Sequence, residues 1–239
     1  MRLKWYNILF LIVIITLIAG TIFATENTQK TIAVVYFENN SIFQKEELAS
    51  LSKGLADMFI TEMSKIEALK VVERAQLQKL LEEMQLGQAG MLDQSTAQQV
   101  GKLLGAQTLL LGSFLNMPGD KLRIDARIVE VETGVTIKAE EETGKMKKLF
   151  EMVQKLTKKI AEDLNVSLTK GDKKRIKDQE NESFDAALFY SKGLEYHDNG
   201  DYKNAYEMYK KALEINPDYI SAKKRIAEIK EVLLNKKKK

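Results

Sequence analysis

The clearest structural signal in the chain is an alternation of apolar and polar side chains across residues 121–131. Its apolar positions recur at every second residue, at Leu122, Ile124, Ala126 and Ile128. This period predicts a strand that is buried on one face. Turn residues on both sides separate it from apolar runs at residues 107–115 and 135–141. The three runs therefore predict an antiparallel meander with one wet face.

Helical stripes and two short apolar runs surround this meander. Apolar side chains recur every three or four residues at about 45–66, 75–86, 94–104 and 145–165, which predicts four helices. Runs at residues 31–37 and 69–72 predict buried strands. The order predicts an α/β (α+β) domain, a mixed sheet whose antiparallel meander is covered by helices. Gly54 lies inside the first helix, at a cost of about 1 kcal/mol relative to alanine, so we expect a close packing point there.

The N-terminal segment has the layout of an export signal. Arg2 and Lys4 precede an uncharged run at residues 5–24, and small residues at its end form a candidate processing site. The run is nearly as long as the roughly 20 residues that span a bilayer, so residues 1–24 form a signal peptide or an N-terminal anchor, and cleavage is favoured. Either outcome predicts an exported protein: periplasmic, associated with the outer membrane, or anchored through residues 5–24.

The C-terminal part predicts a separate helical unit. A charged linker at residues 168–182 divides the domain at residues 25–167 from residues 183–239. The latter carry the spacing of one tetratricopeptide repeat (TPR), at Phe189, Gly193, Tyr196, Ala205, Tyr209, Ala212 and Pro217. Small residues let two antiparallel helices approach, Pro217 ends the second, and a third apolar stripe predicts a capping helix. Because one repeat buries too little surface to be stable alone, we expect it to dock on its own domain, another copy or a partner.

Three short motifs occur in order across the predicted domain. The first strand ends in Phe-Glu-Asn, a Val-Val-Glu-Arg sequence precedes a leucine-bearing helix, and a Gly-Ala-Gln sequence begins a strand that reaches a glycine. They include Glu73, Arg74, Gly105, Ala106 and Gly112. In this order and spacing the motifs make the domain resemble the CsgG-like curli production assembly/transport family and, more loosely, the N-terminal domain of TolB-like periplasmic proteins.

The resemblance implies a periplasmic α/β domain whose relatives in curli export assemble as an outer-membrane ring. It also implies that Glu73 and Arg74 form the family's acidic–arginine pair, which we expect to be a salt-bridged strand end. The chain departs from the ring-forming relatives, because it has no cysteine for lipid attachment and lacks two long lipid-facing hairpins. We therefore expect the periplasmic domain without the pore.

Catalytic, metal and cofactor chemistry has little support in the sequence. Cysteine is absent, and the single histidine, His197, is expected in an exposed turn. The acidic run at residues 140–142 is expected to be a solvated strand end, and the glycine loop at residues 87–90 lacks the residues of a phosphate loop. A net charge of +3 without a basic, aromatic patch also argues against nucleic-acid binding.

These patterns predict a non-enzymatic assembly or scaffold protein of the cell envelope, which binds protein partners and can self-associate. Aromatic residues of the repeat are the expected binding surface, although some of them must pack internally. They are Phe189, Tyr190, Tyr196, Tyr202, Tyr206 and Tyr209. Two alternatives stay open. A subunit of an outer-membrane secretion channel would form stable rings, and a ligand-binding sensor or enzyme would have a pocket with convergent polar groups.

Overall fold

The computed structural model describes residues 29–86, 93–177 and 183–236. In chain order its strands are β1 (Lys30–Val34), β2 (Glu38–Asn39), β3 (Leu69–Val71), β4 (Thr108–Met117), β5 (Lys121–Glu130) and β6 (Thr136–Lys145). Its α-helices are α1 (Leu51–Met63), α2 (Arg74–Glu83), α3 (Gln94–Leu103), α4 (Leu149–Asp163), α5 (Lys170–Lys177), α6 (Phe184–Asp198), α7 (Tyr202–Ile215) and α8 (Ile220–Lys236). A short 3-10 helix, Met146–Lys148, precedes α4.

The strands form one mixed sheet in the order β3–β1–β4–β5–β6, with β2 paired to β4. Strand β1 pairs in parallel with β3 and β4, whereas β4, β5 and β6 are antiparallel neighbours. Strand β1 lies between β3 and β4, and every residue from Ile32 to Phe37 is buried. The predicted pairing of the first strand with the meander is confirmed. Strand β6 runs beyond the predicted end, because its pairing with β5 continues to Lys145 opposite Lys121.

Two apolar clusters hold the sheet between helices. The alternating residues of β5 are at most 1% exposed and belong to the larger cluster, which also contains the buried faces of α1 and α4. A smaller cluster on β1, β4 and β5 includes Ala97 of α3. The mixed α/β architecture predicted from the sequence is therefore confirmed.

The first helix begins at Leu51, later than the predicted residue 45. Side-chain amides occupy the backbone of the preceding segment: Asn39 Nδ2 donates to the Lys45 carbonyl oxygen, and Asn116 Nδ2 donates to the Phe43 carbonyl oxygen. Such bonds compete with helical hydrogen bonds, so residues 42–50 form turns.

Part of the predicted linker is a packed helix. Ile176 of α5 is fully buried, and Arg175 donates from Nε to the carbonyl oxygen of Lys65 at 2.9 Å. The N-terminal signal or anchor and the glycine loop at residues 87–90 lie outside the described residues. Within the described ranges, every helix is too short or too polar to cross a bilayer.

Helices α6 and α7 form the predicted helical hairpin, and α8 packs on α7 as its cap. Gly200 makes the turn between α6 and α7 with a backbone φ of +73°. At Gly193 a Cβ atom would lie 2.4 Å from the Tyr209 ring, so only glycine permits this approach of α6 to α7. The C-terminal helices thus have the architecture expected of a TPR-like hairpin with a capping helix.

Candidate functional site at the junction of two modules

The helical unit α6–α8, here called the repeat unit, packs directly on helix α1 of the α/β domain. The two modules come close together at Gly54, where a Cβ atom would lie 1.8 Å from the Oγ atom of Ser191 on α6. Ser191 is fully buried and donates from Oγ to the Ala187 carbonyl oxygen at 2.7 Å. The packing point predicted at Gly54 is therefore the place where the two modules touch.

Five charged side chains are enclosed beside this contact and form what we call the junction cluster. They are Lys53, Asp57, Arg74, Asp198 and Arg225. Asp198, at the end of α6, accepts from Lys53 Nζ at 2.7 Å and from one terminal guanidinium nitrogen of Arg74 at 2.8 Å. These three side chains are 4–5% exposed, so the ion pairs are shielded from water.

Asp57 on α1 ties the domain to two helices of the repeat unit. Its Oδ1 atom accepts from Arg225 on α8 at 2.9 Å, and its Oδ2 atom accepts from the hydroxyl of Tyr190 on α6 at 2.6 Å. Arg74 Nε lies 3.4 Å from the same carboxylate. Both buried carboxylates of the cluster are thus shared between modules.

The electrostatics of the cluster follow from its enclosure. Burial opposes the charge of Arg74, but Asp198, Tyr36 and Asp57 outweigh it and raise the pKa of Arg74 above its usual range. Burial likewise opposes the charge of Arg225, but Tyr190 and Asp57 favour that charge and raise the pKa of Arg225 above its usual range. Both guanidinium groups therefore stay protonated, and docking gives each of them a carboxylate from the other module: Asp198 for Arg74 and Asp57 for Arg225.

His197 lies in the last turn of α6, where it is half-buried. This corrects the expectation of an exposed turn histidine. Its ring meets the Tyr202 ring edge-on at 5.4 Å between centroids, and Nδ1 is 3.4 Å from the Tyr209 hydroxyl. Burial, together with Arg225 and Arg74, lowers the pKa of His197. The neutral imidazole is thus the form that suits this position.

Glu73 and Arg74 do not form the exposed strand-end pair expected from the resemblance. Glu73 is exposed and precedes α2, whereas Arg74 is 4% exposed and turns into the junction to meet Asp198 and Asp57. The sequence predicts a surface position for the pair, because it does not show that the repeat unit covers the start of α2.

The other motif residues make tight turns or close contacts. Gly105 has φ +64 after α3, and Ala106 is buried before β4. At Gly112 a Cβ atom would lie 2.2 Å from the Phe37 ring. Ala205 is fully buried in α7, and Pro217 follows the end of that helix.

The six aromatic residues predicted to bind partners divide into two groups. Tyr190 and Tyr209 are at most 1% exposed, and their rings lie 5.5 Å apart between centroids, so they are the internal members that the sequence expected but did not assign. Tyr196 is 39% exposed. Phe189, Tyr202 and Tyr206 are half-buried. A partner contact at these four residues stays a prediction.

The acidic run at residues 140–142 is paired rather than simply solvated. Lys155 Nζ lies 3.1 Å from Glu142, and Lys159 Nζ lies 3.3 Å from Glu140. Across the ranges that the structure describes, no cluster of three or more metal-ligating side chains occurs.

A cavity of about 640 Å³ opens near the start of β1. Two of its charged lining residues have partners: Lys30 Nζ donates to the Leu164 carbonyl oxygen at 2.5 Å, and Asp163 Oδ1 faces Lys138 at 3.9 Å.

Sequence reasoning missed four members of the junction cluster. Lys53 and Asp57 are four residues apart on α1, on either side of Gly54, so they share a helix face with a packing glycine. This combination was a usable signal. The sequence around Asp198 and Arg225 contains no comparable signal.

Comparison with known proteins gives two family matches. Residues 20–118 match the family model described as curli production assembly/transport component CsgG, and residues 186–219 match the tetratricopeptide repeat. No curated protein matches the chain.

Several solved structures are similar to this chain. The LpoB C-terminal domain from Salmonella enterica is 15% identical, with 49% of this chain and 84% of that chain covered and a TM-score of 0.35. The PelC dodecamer from Paraburkholderia phytofirmans is 12% identical, with 59% and 91% covered and a TM-score of 0.38. TolB from Acinetobacter baumannii is 10% identical, with 56% and 28% covered and a TM-score of 0.37.

The two family matches agree with the two modules of the fold. The CsgG match ends in the β4–β5 turn, and β5, β6 and α4 complete the same sheet beyond it. The repeat match covers α7 and most of α6. Together the matches agree with a role in protein contacts at the cell envelope. The chain thus combines a CsgG-like domain with a tetratricopeptide repeat.

Proposed function

We propose that this protein is an assembly or scaffold protein of the cell envelope, exported to the periplasm, in which the CsgG-like domain and the repeat unit bind protein partners as one body. The observation that carries the proposal is the enclosure of Asp198 by Lys53 and Arg74 between the modules. Paired charges with the right geometry hold one relative orientation, whereas apolar surfaces alone tolerate several.

Docking uses one side of α6, and another side stays partly exposed. Tyr190, Ser191 and Leu194 are buried, whereas Phe189, Lys192 and Tyr196 follow at intervals of three and four on a different face. With Tyr202 and Tyr206 of α7, the aromatic residues of that face form what we call the partner surface: Phe189, Tyr196, Tyr202 and Tyr206. Tyrosine is enriched at the centres of protein interfaces because it buries a large area with little loss of conformational entropy.

A cation lies on this surface already. The Nζ atom of Lys211 stands 5.6 Å from the ring centroid of Phe189. Aromatic rings with an adjacent lysine favour a partner that presents apolar groups beside a carboxylate. We therefore propose an envelope protein, or another copy of this chain, with such a complementary patch.

The test is capture of partners from the native envelope by crosslinking, followed by mass measurement. We expect Tyr196→Ala combined with Tyr206→Ala to lose the crosslinked species that the parent protein forms. Leu103→Ala is the matched control, because Leu103 is 59% exposed and lies on α3 of the domain. Equal crosslinking by the parent and the tyrosine variant would refute the partner surface.

Deleting the repeat unit is a poor substitute for these point variants. Deletion would remove Asp198 from Lys53 and Arg74 and remove Arg225 from Asp57, so the domain would lose stability for reasons unrelated to partner binding. The same mass measurement distinguishes this proposal from the channel alternative, because a channel subunit would appear as a closed ring that persists when the tyrosines are changed.

A further inference from the structure

One end of the sheet presents two apolar side chains on a fixed loop. Ile42 is 79% exposed and Phe43 is 54% exposed. The amide of Asn116, itself 4% exposed, holds their loop: its Oδ1 atom accepts from Phe43 N at 3.2 Å, and Nδ2 donates to the Phe43 carbonyl oxygen at 2.5 Å. The two apolar side chains are therefore held out in one position, although burying them inward would be favourable.

Neighbouring segments extend this end of the sheet. Met117 is 36% exposed and stands opposite Lys121, which in turn stands opposite Lys145. The backbone N–H of Met146 donates to the Asp120 carbonyl oxygen at 2.9 Å. Since neighbouring strands lie about 4.8 Å apart, Lys145 is about 10 Å from the strand that holds the Phe43 loop. We call residues 41–43, 116–121 and 145–148 the tip.

The charge of the tip is mainly positive. Its residues include four lysines, at positions 121, 145, 147 and 148, and one acidic residue, Asp120. Lys148 is paired with Glu151 at 2.8 Å, and the residues that follow the Phe43 loop add Lys45, Glu46 and Glu47. The exposed lysines of the β5–β6 side thus keep an excess of positive charge beside the apolar pair.

We propose that the tip inserts Ile42 and Phe43 into the surface of a membrane that contains anionic phospholipid. Interfacial binding needs exposed apolar groups at a protruding point, together with basic side chains that reach the headgroups. The tip has both. Tip-to-tip contact with a second copy would bring like charges together, which disfavours self-association at this surface.

The experiment is flotation with lipid vesicles, using the chain that begins at Thr25 so that the apolar run at residues 5–24 does not bind lipid itself. The described residues begin at Gln29, so this chain retains every contact that the structure describes. Vesicles of phosphatidylcholine alone are compared with vesicles containing phosphatidylglycerol. We expect flotation with the anionic vesicles, reduced at least about tenfold in Ile42→Ser/Phe43→Ser.

The matched control is Leu103→Ser/Val135→Ser, which removes two side chains that are 59% and 58% exposed at the opposite end of the sheet. It is expected to float like the parent chain, whereas Lys121→Gln/Lys145→Gln is expected to lose the preference for anionic vesicles. Absence of flotation by the parent chain, or equal loss in the control, overturns the proposal. Concentration-dependent self-association that depends on Ile42 and Phe43, without flotation, would assign the tip to a second copy and also overturn it.

Discussion

Removing the carboxylate of Asp198 is the most direct test of the junction. Asp198→Ala would leave Lys53 and Arg74, both about 5% exposed, facing each other without their shared anion. Breaking a buried ion pair by deleting one partner typically costs about 3–5 kcal/mol, because the remaining charge is left in a poorly solvated place. Arg74 keeps Asp57 at 3.4 Å, so the lower half of that range is expected.

A loss of this size is a large part of a typical domain stability, which is about 5–15 kcal/mol. Urea unfolding followed by circular dichroism measures the change in the free energy of unfolding. Native-state hydrogen exchange then locates it: faster exchange is expected in α6–α8 than in β4–β6, because the repeat unit depends on the junction for its docking.

The matched control is Glu83→Ala, which removes an acid from the exposed pair between Lys79 and Glu83. These side chains are 78% and 61% exposed and 3.8 Å apart, so the expected change is at most about 0.5 kcal/mol. The reasoning is refuted if Asp198→Ala changes stability by no more than this control, or if protection is lost uniformly over both modules.

Three further changes probe the same region of the protein. Gly54→Ala should destabilise the fold, and adding Ser191→Gly should restore stability, because that change removes the Oγ and Cβ atoms 1.8 and 2.8 Å from the new methyl group. Burial lowers the pKa of His197 below 6.5, so the unfolded chain binds a proton that the folded chain excludes; stability should fall as pH drops through about 6.5, and thermal melts of His197→Gln should lack this dependence. Glu62 is buried with Oε1 2.6 Å from Lys65 Nζ, so Glu62→Gln removes the charge of one partner of a shielded ion pair; it should lower the free energy of unfolding at pH 7 by about 1 kcal/mol, measured by urea unfolding.

The sheet was predictable because its signals are local. In β5 the period of two directly reports which side chains are buried, and Ile124 and Ile128 are indeed at most 1% exposed. The repeat was equally readable, since Gly193 must be small where the ring of Tyr209 approaches it. The start of α1 was not predictable in the same way, because it depends on Asn116, a residue distant in sequence that binds the Phe43 backbone.

The junction shows why a candidate site can stay hidden while the fold is read correctly. Charged residues are assigned to the surface by default, and Lys53 is brought to Asp198 across a sequence separation of 145 residues. A glycine in the interior of α1 predicts a close contact at that position, but it does not reveal that the contacting element is a helix that carries an acidic side chain. Because this contact is charged, another repeat with an uncharged residue at the position of Asp198 would leave Lys53 without its carboxylate and Arg74 with Asp57 alone. The geometry of the junction thus depends on the acid that this repeat unit supplies.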